Sequence, residues 1–114
     1  MKNTLQIKIT KNTNPRLATT DFNGLQFGKI FTDHMFMADF EDGEWKNFQI
    51  LPYGPIPMSP AISALHYGQA IFEGMKAYHL PNGDINVFRA NKNFERFNIS
   101  AERMAMPTIS EDIF

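Results

Sequence analysis

The residues best equipped for chemistry stand in the second half of the chain, in LHYGQAIFEGMKAYHL (65–80) and NKNFERF (91–97). Arg96 comes first. It lies early in a helix-like run beside Phe94 and Phe97, and a guanidinium has the fork geometry to clamp a phosphate bidentately. Taken alone, an arginine there reads as a solvated surface residue, and Arg89 and Arg103 read as surface or ion-pair residues. Tyr67 reads by itself as a helix tyrosine whose hydroxyl is satisfied locally. Glu73 is acidic and follows Phe72 directly, but its plainer role is structural. His34 and His66 have no second ligand at helical i+4 spacing and no cysteine to help, which favours structural roles and leaves no metal site expected.

A small α+β domain would position these residues. Prolines 52, 55, 57 and 60 make residues 52–60 a connector, because proline neither pairs in a central strand nor enters a helix interior. Ser59-Pro60 then starts a helix, with Ser59 capping free amides and Pro60 at the first helical position. That helix is expected to run to about Phe72 and stop at Gly74, with Ile62, Leu65 and Phe72 on one face and Tyr67, Ile71 and Gly74 on another. Met75 to Leu80 and Ile85 to Arg89 flank Pro81-Asn82-Gly83-Asp84, and Asn-Gly between apolar strands signals a hairpin. Asn91 or Asn93 is expected to cap a last helix, whose Phe94, Phe97, Ala101 and Met104 recur at helical spacing until Pro107.

Upstream, residues 1–24 read as a loose or edge-docked arm with a weak apolar alternation at Leu5, Ile7 and Ile9. Residues 25–40 are dense in Phe, Ile and Met on both parities, which predicts a strand covered on both faces, Phe27, Phe31 and Met35 on one and Ile30, Phe36 and Phe40 on the other. Glu41-Asp42-Gly43 makes a hairpin turn into a return strand through Trp45, Phe48 and Ile50. The expected sum is a small antiparallel sheet with two packed helices, the domain proper spanning residues 25–114.

Composition narrows the function classes. With 114 residues, 43% of them hydrophobic and 20% charged, the chain suits one globular domain. A net charge of −1 and the absence of any basic run disfavour nucleic acid. There is no cysteine, hence no disulfide or thiolate metal site. The polar stretch MKNTLQIKITKNTNPR shows no signal peptide or presequence, and no apolar run approaches the ~20 residues of a spanning helix, so a soluble cytoplasmic protein is expected.

Read together, FGKIFTDHMFMADF from Phe27 and LHYGQAIFEGMKAYHLPNGDINVFRANKNFERF from Leu65 resemble the branched-chain amino acid aminotransferases, pyridoxal-phosphate enzymes of fold type IV. The likeness runs from Phe27 to the end and corresponds to the family's small N-terminal domain. It implies that Arg96, in the pattern Asn-x-x-Arg, binds the cofactor phosphate. It implies further that Phe72 lines its own subunit's substrate site, that Tyr67 of Leu-His-Tyr lines the neighbouring subunit's, and that Phe27 adds a third aromatic wall. A homodimer follows. An aromatic, mostly apolar pocket suits leucine, isoleucine and valine and discriminates weakly among them.

The resemblance places the cofactor-binding lysine and the carboxylate paired with the pyridine nitrogen in a downstream large domain. Lys76, in the strand after Phe-Glu-Gly, is rejected for the first role and Glu73 for the second. No catalytic residue is therefore expected in these 114 residues, and the chain alone should not transaminate. The implied reaction moves an amino group between leucine, isoleucine or valine and 2-oxoglutarate. The alternatives are another fold type IV enzyme, a D-amino acid aminotransferase or aminodeoxychorismate lyase, and a non-catalytic interaction module. The long FGKIFTDHM stretch favours the branched-chain group over the first. Against the module, residues 107–112 look like the start of another helix, capped by Ser110 and cut within its first turn.

Overall fold

Dipeptides with the backbone freedom for tight turns set both hairpins. The computed structural model describes residues 5–114, so residues 1–4 of the arm lie outside the described residues. The class is α+β, in two units, Met1–Pro57 and Met58–Phe114.

In the first unit, strands β2 (His34–Glu41) and β3 (Glu44–Pro52) pair antiparallel. Asp42 and Gly43 join them, both at positive φ (54° and 83°), the turn whose twist matches the flanking strands. The pairing slips by one residue between Met37 and Asp39, because β3 carries an extra residue there. Asn47 sits at that bulge at φ 57°, a region asparagine tolerates, and its amide donates to Asp39 at 2.9 Å. Rings from the two strands pair on one face, Phe36 with Phe48 and Phe40 with Trp45. The arm does dock at an edge: Lys8–Ile9 forms β1, parallel to β3, so the sheet runs β1-β3-β2 and is mixed.

The strand expected from residue 25 begins only at His34. Gly28 turns to φ 72°, and Asp33 accepts the amides of Arg16 (2.8 Å) and Leu17 (3.2 Å), which folds the preceding segment against the arm. Leu25, Ile30 and Phe31 thus line a cavity of about 270 Å³ with Leu17 and Phe22 instead of facing a sheet. Phe31 also stacks on Tyr53 at 4.8 Å.

In the second unit the first helix is short. Helix α1 spans Ser63–Tyr67 and ends at Gly68, whose φ of 61° closes it. The expected run to Phe72 with a stop at Gly74 is corrected: the nearer glycine takes the left-handed cap, and Gln69 turns away to donate to the carbonyl of Met104 at 2.8 Å. Ser59 does accept an amide, that of Ala61, but the helix starts after Ile62. Strands β4 (Ala77–His79) and β5 (Ile85–Val87) form the Asn-Gly hairpin, with Gly83 at φ 91°.

Helix α2 covers Ala90–Arg103. Arg89, at φ 53°, precedes it without a side-chain cap, so neither Asn91 nor Asn93 plays that part. The apolar stripe behaves as its spacing predicts. Ala101 is fully buried, and Phe94 and Phe97 meet the Phe114 ring at 5.8 and 6.0 Å. Asn98 holds the returning segment through both the amide and the carbonyl of Ile109, at 2.9 Å each. Among the described residues no helix is long and apolar enough to cross a membrane.

Candidate functional site

The polar centre of the second unit is a carboxylate. Glu73 lies in the irregular stretch between α1 and β4, and its oxygens accept from Arg96 Nε (2.7 Å), Arg96 Nη2, Asn93 Nδ2 (3.0 Å) and the amide of Gly74 (2.9 Å). Asn93 also donates to the carbonyl of Gly74 at 3.0 Å, which ties the turn to α2 a second time. Helical spacing explains the pairing, since positions 93 and 96 lie on one face of α2.

The two partners differ in exposure. The Glu73 side chain is only 6% exposed, whereas that of Arg96 is 68% exposed. The Arg96 guanidinium, with Asn93 and Gly74 adding hydrogen bonds, holds the Glu73 carboxyl down to about 2. Glu73 in turn raises the Arg96 pKa and keeps it a cation. A guanidinium carries five N–H groups, and Glu73 occupies Nε and one of those on Nη2, so three remain for another acceptor. Arg96 also lines an open recess with Phe88, Arg89, Lys92 and Asn93. Lys92 is engaged by Glu95 at 2.6 Å, and no ion pair of Arg89 occurs among the described residues. A planar cation fixed on one edge and open on the other fits a phosphate.

Within the second unit, Phe72 and Tyr67, expected to wall a substrate site, do not line this recess. Phe72, 92% exposed, lines a different recess with Ala70, Ile71, Ser100, Arg103 and Met104. Tyr67 ends α1 and is 84% exposed, its ring beside that of His66. Phe27 belongs to the first unit, just before Gly28, and is also exposed. Of the other titratable candidates, His34 Nε2 accepts the amide of Asn12 at 2.8 Å, a structural use, and Lys76 lies over the Tyr78 ring.

Sequence reasoning singled out Arg96 but gave Asn93 the wrong task and Glu73 an unspecified one. Nothing in the spacing links positions 73 and 96. The one available hint was a carboxylate beside a glycine in an otherwise apolar stretch, where a charge needs a partner.

No family model matches the chain. It is 46% identical, over 82% of its length, to branched-chain-amino-acid transaminase 1 of Bacillus subtilis (strain 168), of which it covers 26%. It is 43% identical over 96% of its length to the branched-chain-amino-acid aminotransferase of Mycolicibacterium smegmatis, covering 31% of that protein. A probable branched-chain-amino-acid aminotransferase of Staphylococcus aureus (strain MRSA252) is 47% identical over 80% of the chain, which covers 25% of it. Over most of its length the chain is thus homologous with branched-chain aminotransferases, and it spans between a quarter and a third of these relatives.

Proposed function

We propose that the chain is the small domain of a cytoplasmic, homodimeric, pyridoxal-phosphate-dependent branched-chain aminotransferase, which moves an amino group between leucine, isoleucine or valine and 2-oxoglutarate. The observation that supports this most is the identity of 43% extending over 96% of the chain, and Arg96 stands in the Asn-x-x-Arg pattern for which the resemblance implies a phosphate.

The cofactor, when bound, supplies the electron sink that lets an amino group pass between two carbon skeletons. The chain's own part is to bind and to orient. Arg96 donates its open N–H groups to the phosphate and fixes that end of the cofactor, while Glu73 and Asn93 hold α2 to the turn after Phe72. Phe72 and Phe27 offer apolar walls to the substrate side chain, and Tyr67 does so for the neighbouring subunit. Burial of apolar area then supplies affinity, with little discrimination among side chains that differ by a methylene. No residue of this chain is assigned a proton transfer, and the lysine that holds the cofactor is placed outside it.

The test uses the full-length protein. It should form glutamate from leucine and 2-oxoglutarate, and Arg96→Ala should weaken pyridoxal phosphate binding about tenfold or more, the ~1.5–3 kcal/mol of a charge-assisted contact. Arg89→Ala should have a much smaller effect. No glutamate from any branched-chain substrate, or equal dissociation constants for the two variants, would remove this reading of the site.

A further inference from the structure

We infer that Glu73 is a positioning residue for the cofactor, acting through Arg96: it fixes the guanidinium by one edge so that the opposite edge is already set for the phosphate. This rests on the proposed role of Arg96. An arginine side chain 68% open to solvent samples many rotamers, and a ligand that binds it must order it first. Here the ordering is done in advance. Glu73, only 6% exposed and locked by Asn93 and the amide of Gly74, offers both oxygens to Nε and Nη2, and two contacts on a planar group define its plane.

The carboxylate carries an opposing cost, because its charge reduces the pull of Arg96 on any anion. A pair that existed only to attract phosphate would do better without it. The bidentate geometry and the second tie from Asn93 to Gly74 indicate that orientation outweighs attraction at this position. A surface lysine in place of Arg96 would not do the same work, since one ammonium has no edge to spare once Glu73 has engaged it.

The experiment is a double-mutant cycle in the full-length holoenzyme, read as the dissociation constant of pyridoxal phosphate and as the phosphorus NMR shift of the bound cofactor. Glu73→Gln should weaken retention roughly fivefold to tenfold in the Arg96 background and move the phosphorus signal. In the Arg96→Ala background the same change should have no further effect. Arg96→Lys serves as the second variant, should Glu73→Gln fail to fold, and is expected to retain the cofactor little better than Arg96→Ala.

Unchanged or tighter binding in Glu73→Gln would overturn the inference, as would an equal loss in both backgrounds or full retention by Arg96→Lys. If Arg96→Ala itself leaves the affinity unaltered, the assignment of Arg96 fails first, and the inference with it.

Discussion

Glu73 is ionised under conditions that protonate most carboxylates, and the sign of the resulting pH dependence follows. Its pKa in the folded chain is about 2 against an ordinary 4.5, chiefly because Arg96 and then Asn93 donate to the charged form. A depressed pKa means the unfolded chain binds the proton more readily, so stability is complete above about 4.5 and drains away as pH falls toward 2. Asp33, lowered by the amide of Arg16 first, adds in the same direction. The urea midpoint of the protein should therefore drop between pH 5 and pH 3, and Glu73→Gln should make that drop shallower. Parallel slopes for wild type and variant would show that the pair does not hold. At this scale type and motif sufficed to single out Arg96, whose role toward a phosphate is the one proposed. The sequence was not legible where the role depends on a partner 23 positions away, as for Glu73.

Elements whose punctuation is a single dipeptide were readable. Asp42-Gly43 forms the turn its backbone freedom predicts, Asn82-Gly83 stands in a longer loop where Gly83 alone takes positive φ and its amide reaches the Leu80 carbonyl at 2.9 Å, and the α2 stripe is found where its period put it. The sequence reading gave Gly74 as the stop of the first helix, whereas Gly68 takes the left-handed cap and Gln69 donates to the carbonyl of Met104, a contact 35 positions away that periodicity does not report. The end of α2 hides its own signal. Ala105 takes the left-handed position, with the Met106 amide reaching the Ala101 carbonyl at 2.8 Å and the Ala105 amide reaching Glu102 at 3.1 Å, where glycine is usual. An L-residue pays roughly 1–2 kcal/mol for that conformation, and glycine's extra freedom in the unfolded chain takes back part of the gain. Ala105→Gly should thus stabilise the protein by about 0.5–1 kcal/mol, seen as a higher urea midpoint at unchanged slope. An unchanged or lower midpoint would mean that the strain at this position is relieved in some other way.

At the scale of the molecule, the expected α+β class with small sheets and two helices holds, and the chain divides into two units, each with a sheet of its own. Apolar periodicity reports which faces want cover and is silent on what covers them. Among the described residues Ala101 alone is fully buried, while Tyr67 and Phe72 stand open to solvent. Exposed apolar area is unfavourable by roughly 25 cal/mol per Å², so aromatic walls of this kind act only once another surface closes over them. For Tyr67 the proposed surface is the neighbouring subunit, and complementation tests it. Two full-length subunits are co-expressed, one lacking the catalytic lysine with Tyr67 intact, the other carrying Tyr67→Ala with its lysine intact. If Tyr67 serves across the interface, the heterodimer contains one whole site, made of the second subunit's lysine and the first subunit's tyrosine. Its activity per intact lysine should then exceed that of the Tyr67→Ala homodimer and approach that of the wild type. If Tyr67 serves its own subunit, no site in the heterodimer is whole, and its activity per lysine stays at the level of the Tyr67→Ala homodimer. That second outcome would return Tyr67 to its own subunit and remove the reason for placing this face of α1 at a dimer interface.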